Sequence, residues 1–364
     1  MNESFYTGIR MWIRQSALVR SYRKLKSVKG LPKYTVIKSS HKSRLKKSII
    51  FLCPATNVPR GGVKVIYRQA AVINKAIGIM SASVLHPLNP EFNCSWFEHH
   101  AAFKRNLEFD PKYDFVMIPE FWAVPHAKLI RQLGVQYGIY VQNGYAIGIN
   151  NAEELEAAYS NAALILAISD DTVECIKLAY PECSGKVHRV HCFVNPDRFF
   201  ANSDKENIIS YMPRRLKRHS DLVIFFLNKR LPSHWKIEAI DGLNEAGVAA
   251  VLKKSKIFLS FSEFEGLGLP PIEAALSGCQ VIGYTGEAAK EYWDTEIFTE
   301  IHEGDIRAFV NAVLDKIDEM ETSSTAIHTV AISRLANKYS VHAEMVDMRF
   351  VAQEINRILD LDDT

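Results

Sequence analysis

The chain runs to 364 residues, enough for two or three domains with sizeable cores. Its composition, 48% hydrophobic, 23% charged and 10% aromatic, excludes disordered, collagen-like and low-complexity chains. The net charge of +3 averages two unlike parts: residues 1–47 hold 13 of the 44 Lys and Arg with one acid, Glu3, while the remainder holds 31 bases against 40 acids.

The basic leader contains GIRMWIRQSALVRSYRKLK (8–26), where Ile9, Trp12, Ile13, Leu18, Tyr22 and Leu25 follow roughly one helical face and arginines and lysines fill much of the rest. That pattern reads as an interfacial helix for an anionic membrane surface, each cation near the surface contributing about 1 kcal/mol. A helix docked on its own body is the competing reading. Nucleic acid ranks last, because no recognition module accompanies the charge. No apolar run reaches the roughly 18 residues that span a bilayer, and no apolar core with a small-residue cleavage site marks secretion. The six scattered cysteines, with no C-x-x-C pair, read as reduced, buried small hydrophobes of a cytoplasmic protein.

From residue 48 strand and helix signals alternate. SIIFLCP (48–54) is a continuous apolar run, as a strand buried on both faces requires. NVPRGG (57–62) turns into a helix pattern carrying Val63, Ile66, Tyr67, Ala70, Ile73 and Ile77. Strands are expected at GIMSASVLH, YDFVMIP (113–119), YGIYVQN (137–143), ALILAISD (163–170) and KVHRVHCFV, with helices between them. NPDRFFANSDKEN (195–207) is polar and reads as a linker. The alternation resumes with strands NIISYMP, WKIEAIDG, KIFLSFS (256–262) and QVIGYTG, a loop turning to helix in RRLKRHSDLVIFFLNKR, and a largely helical C-terminal region. The predicted architecture is α/β: a leader (1–47), a Rossmann-like domain (48–200) and a second (201–364), with C-terminal helices able to cross back to the first. Two parallel sheets facing a cleft put the ligand loops after residues 54, 119, 143, 212, 262 and 285.

The densest chemistry is SEFEGLGLPPIEAALSGCQVIGYTGEAAKEYW (262–293). Gly266 and Gly268 let backbone approach a ligand, Pro270 and Pro271 suit a helix entry, and Glu273 falls in the first turn. The amides of residues 267–271 leave the helix start as an anion site, flanked by Glu265 and Glu273, whose carboxylates can accept from sugar hydroxyls.

E-G-L-G-L-P-P-I-E (265–273), with its preceding strand and the following EAALSGCQVIGY, resembles the E-x7-E signature of GT-B-fold nucleotide-sugar glycosyltransferases, particularly family 4. The resemblance covers the second domain well and reaches the first through GGV (61–63) and residues 168–199. It implies two Rossmann-like domains and a retaining transfer from a nucleotide diphosphate sugar to a saccharide or lipid-linked saccharide, for surface polysaccharide or glycolipid assembly at the cytoplasmic membrane face. By that resemblance Glu265 lies beside the donor sugar and Glu273 binds the ribose. Gly266, Leu267, Gly268 and Leu269 take the phosphates, and Gly61 and Gly62 form the family's glycine loop. In SYMPRRLKRH (210–219) the basic pair is Arg214 or Arg215 with Lys217. Where many relatives carry a histidine aimed at the sugar, this chain has MIPEFW and VQNGYAIG, so Glu120, Asn143 and Tyr145 are the cleft candidates. No Asp-x-Asp motif is evident and no metal or other cofactor is expected. His99, His100, His188 and His191 lack a third ligand at suitable spacing. The alternatives are a non-catalytic sugar-nucleotide-binding partner of a membrane polysaccharide complex, or a GT-B nucleotide-sugar epimerase.

Overall fold

The structure is a computed structural model that describes residues 31–37, 46–149, 152–322 and 329–361. The amphipathic segment 8–26 lies outside them. Among the described residues thirteen strands form three parallel sheets. The smallest pairs β1 (Thr35–Val36) with β4 (Glu108–Phe109), a contact the short, unpatterned sequences gave no means to expect.

The first large sheet contains β2 (Ser48–Leu52), β3 (Ser81–Leu85), β5 (Asp114–Pro119), β6 (Gln136–Val141), β7 (Leu164–Ala167) and β8 (Val187–Arg189), in the order β3-β2-β5-β6-β7-β8. The second contains β9 (Glu206–Tyr211), β10 (Lys236–Ala239), β11 (Ser255–Glu265), β12 (Gln280–Glu287) and β13 (Phe298–Glu300), in the order β10-β9-β11-β12-β13. Each sheet therefore starts 2-1-3-4-5 in its own strand sequence, the doubly wound order whose ligand crevice opens between the first and third strands. Every residue of β2 and β5 is buried, which is why their sequences read as unbroken apolar runs.

Among the described residues ten α-helices cover these sheets: α1 (Gly61–Val72), α2 (Ala123–Gln132), α3 (Ala152–Ser160), α4 (Asp170–Ala179), α5 (Lys217–Leu227), α6 (Glu245–Lys254), α7 (Leu269–Leu276), α8 (Ile306–Thr322), α9 (Thr329–Lys338) and α10 (Val341–Leu361). α1 runs on into a π-helical turn, Ile73–Ile77, closed by Gly78 at φ 71°. The last expected strand of the first domain is shorter than KVHRVHCFV suggested, only Val187–Arg189. β11 is longer, ending at Glu265 instead of Ser262.

The chain leaves the first sheet's side through residues 190–205 and comes back near Tyr339, where the Val194 amide donates to the Tyr339 carbonyl at 3.0 Å. Helix α10 then packs on α1 and its π turn. His191 Nδ1 lies 2.7 Å from Asp347 Oδ2, and Lys47 donates to the Asn356 carbonyl at 3.0 Å. One apolar cluster continues without a break from Val63 and Ile66 of α1 to Ile272 of α7 and Val351 and Ile355 of α10. Within it Glu344, wholly buried on α10, has its carboxyl pushed up to about 8 by burial, partly offset by Arg68. Among the described residues no helix is long and apolar enough to cross a membrane.

Candidate functional site

In both large sheets the switch point lies beyond the carboxyl ends of the central strands, and the two switch points face each other. The first collects the loop from β2 into α1 and the turns after β5 and β6. The second collects the loops after β9 and β11. Among the described residues three non-glycines have positive φ: Leu216 (39°), Phe264 (46°) and Glu287 (69°). Phe264 and Glu287 sit at the carboxyl ends of β11 and β12, and Leu216 caps α5 in the loop after β9, so backbone strain is concentrated where the sheet order puts a ligand.

The motif loop is pressed against the first domain. A Cβ on Gly266 would lie 1.8 Å from the Gln142 carbonyl oxygen, so only glycine allows this approach. The Gly266 carbonyl accepts from Thr172 Oγ1 at 3.3 Å, and the Phe264 carbonyl accepts from Asn143 Nδ2 at 2.9 Å. Gly268 turns at φ 79° to start α7, and its carbonyl accepts the Tyr292 hydroxyl at 2.6 Å. Gly62 holds Gln142 through a side-chain bond of 3.1 Å to its carbonyl, and a Cβ on Gly61 would lie 3.3 Å from Leu269 Cδ1. The structure thus brings Gly61, Gly62, Asn143, Gly266, Gly268 and Leu269 around one point, with Leu267 buried beside them.

The cations divide. Arg215 Nη2 grips Glu265, 2.9 Å from Oε1 and 3.2 Å from Oε2. Burial raises the Glu265 carboxyl, Glu263 adds to that, and Arg215 opposes it. Arg60, the residue before Gly61, has its guanidinium lowered first by burial and then by the charges of Arg215 and Arg214. Arg60 of the first domain thus feels the charges of Arg214 and Arg215 of the second, and Arg215 stands on Glu265 beside an outward-facing helix start, the electrostatics of an anion site. Lys217 differs from its expected role: it stands exposed on α5 and binds Asp221 one turn on, at 2.6 Å. Sequence reasoning passed over Arg60 and Gln142. The available signals were a cation beside the glycine pair and a polar residue ending β6.

Glu273 also differs from expectation. Rather than standing open it is 5% exposed, with Oε1 2.7 Å from Lys64 Nζ of α1 and Oε2 outside that contact. Lys64 lies 3.1 Å from Glu245, which Arg68 contacts at 2.7 Å, so two cations of α1 interlock with two carboxylates of the second domain. Glu120 does not enter the cleft either. It is buried, burial pushes its carboxyl up to about 7, and Oε2 accepts the Gln142 amide at 3.2 Å. It braces from below the loop that meets Gly266. Tyr145 packs on Phe264 with centroids 5.1 Å apart and donates to Asp171 at 3.0 Å, joining the domain contact. Among the described residues no three His, Cys, Asp or Glu side chains are grouped to hold a metal ion. His99 packs against Tyr67, and His188 against Phe350.

No family model matches the chain. It is 30% identical over 176 residues to an α-1,6-glucosyltransferase of Actinobacillus pleuropneumoniae serotype 7, a match covering 46% of this chain and 51% of that protein, so it spans about half the length of this curated relative. Among solved structures it is similar to sucrose-phosphate synthase from Thermosynechococcus elongatus, with TM-score 0.63 and 13% identity, covering 86% of this chain and 100% of the other. It is similar also to Anabaena HepE in complex with UDP and glucose, with TM-score 0.61 and 12% identity over 86% and 99% of the two chains. A glycosyltransferase of Rickettsia africae gives TM-score 0.60 and 16% identity over 86% and 99%. The chain has the GT-B fold, two Rossmann-like domains around a shared cleft.

Proposed function

We propose that this GT-B-fold chain is a retaining glycosyltransferase of the E-x7-E type, moving a sugar from a nucleoside diphosphate to a hydroxyl of a saccharide acceptor. The observation that carries the reading is the meeting of the E-x7-E loop with the first domain, Gly266 against Gln142 and Gly61 against Leu269, with Arg215 paired to Glu265 beside the start of α7. The similar α-1,6-glucosyltransferase and the HepE structure in complex with UDP-glucose support glucose and UDP as the first donor to try.

In this reading the donor diphosphate lies against the amides of Gly266–Leu269, and the guanidiniums neutralise the charge that grows as the glycosidic bond breaks. The protein's cations supply that charge, so the proposal requires no metal. Arg215 moves from Glu265 to phosphate, releasing the carboxylate to accept from the donor sugar's hydroxyls, while Glu273 takes the ribose. The acceptor attacks from the face the diphosphate leaves, a leaving phosphate oxygen takes its proton, and the configuration is retained. The basic residues 1–47 support a membrane-borne acceptor in polysaccharide or glycolipid assembly, with the enzyme peripheral on the cytoplasmic face.

The test is incubation of the purified chain with UDP-, GDP- and ADP-sugars and saccharide acceptors, with the anomeric configuration of the product read by NMR. Retained glycoside is the expected product. A chain that binds nucleotide yet neither transfers nor hydrolyses any donor is an inert binder, and an epimerised donor marks an epimerase.

A further inference from the structure

We propose that Lys64 is a positioning residue for donor recognition: reaching from the first domain, it fixes Glu273 so that the free carboxylate oxygen meets the donor ribose only when the domains are together. The inference rests on the function proposed above and adds to it the residue that makes nucleotide recognition conditional on closure.

Lys64 and Glu273 belong to different domains, yet their contact is 2.7 Å and both side chains are at least nine-tenths buried. Lys64 engages Oε1, and Oε2 accepts no hydrogen bond among the described residues. A carboxylate oxygen has capacity for hydroxyl donors, so Oε2 is the atom left to the ribose. The orientation is over-determined. The same ammonium bonds Glu245 at 3.1 Å, Arg68 bonds that carboxylate at 2.7 Å, and Phe199 and Phe193 of the crossing segment lie against the two cations, at 5.8 and 4.9 Å. Two positive and two negative groups balance, which such burial requires.

Parting the domains removes both cations at once and leaves Glu245 and Glu273 on one side as like charges, with nothing holding Glu273 in place. A ribose that binds the held form therefore favours closure, and closure favours the ribose, by linkage. A purely structural Lys64 would stabilise the interface without making affinity depend on the ribose hydroxyls.

The test is calorimetry of the full chain with UDP and with 2′,3′-dideoxy-UDP, or the matched GDP or ADP pair if one of those binds. Wild type is expected to prefer the hydroxylated nucleotide about tenfold or more, the worth of hydrogen bonds to a charged acceptor. In Lys64→Met that preference falls to about threefold or less, because Glu273 is no longer held. A folded Lys64→Met that weakens both nucleotides and keeps the wild-type ratio overturns the inference, as does a wild type that binds both equally. If the methionine variant does not fold, Lys64→Gln, which keeps a donor without charge, is read by the same ratio, and an unchanged ratio counts equally against the idea. A wild type that binds none of UDP, GDP and ADP instead removes the proposed function, a result distinct from a binding wild type whose variant is unaltered.

Discussion

The α-carbon of Gly266 faces the carbonyl of Gln142 so closely that an added methyl would stand 1.8 Å from its oxygen. The two domains meet here backbone to backbone, at the second residue of the nine-residue motif. Neither side chain nor solvent is available to absorb an error.

Gly266→Ala is therefore expected to hold the domains apart. Retaining the closed contact would cost about 1–3 kcal/mol of overpacking, which opening relieves, so the melting temperature changes little. Misplacing the donor loop by an ångström lowers kcat/KM by about 100-fold. Small-angle scattering should report a larger radius of gyration; wild-type turnover from this variant would refute the closed geometry as the working one.

Removing Arg60 or Arg215 should slow the chemical step more than it weakens donor binding, since leaving-group charge develops in the transition state. A fall in kcat of about 100-fold or more is expected for each, by analogy with loss of one preorganised donor to a developing oxyanion. Lys217→Ala, already committed to Asp221, should change kcat by less than about threefold. Steady-state kinetics of the three variants decides this: equal effects at Lys217 and Arg215 would return the basic pair to its original reading.

Glu344 gives a pH dependence with a definite sign. Its carboxyl is held at about 8 by burial, above its ordinary value, so the folded protein keeps a proton that the unfolded chain releases. Its contribution is full at acid pH and is lost as pH rises toward 8. With one pKa unit worth about 1.4 kcal/mol, Glu344→Gln should gain more than about 1 kcal/mol over wild type between pH 5 and pH 8. Urea unfolding at the two values measures the slope, and parallel curves for both proteins would show that Glu344 does not carry the effect.

Residues 1–47 should confer binding to anionic vesicles that weakens as salt shortens the Debye length from about 10 Å at 0.1 M to about 3 Å at 1 M. Co-sedimentation of the full chain and of a chain lacking residues 1–30, with and without anionic lipid, tests it. Equal binding by both, or none by the full chain, assigns the leader to another task.

The parallel α/β architecture was legible because buried strands advertise themselves: SIIFL and DFVMIP have no polar face to hide, and the glycines and prolines of 266–271 mark a strand-to-helix turn. Arg60, Gln142 and Lys64 were not legible as a group, for a physical reason. Amphipathic patterning equates the polar side of a helix with solvent, whereas Lys64 and Arg68 of α1 are polar and buried, because their side of the helix is where a second domain docks. The partner of Glu273 was invisible for the same reason: it lies 209 residues away in sequence, and only the docking of two domains brings it near.

The bond between the Val194 amide and the Tyr339 carbonyl ties together the outgoing and returning passages of the chain. Two rods hinged at a single swivel can twist, slide and tilt; two passages fastened side by side behave as a door on one hinge line. Translation of one domain along the other would shear that bond and drag α10 across α1, whereas a swing about the two crossings keeps both contacts.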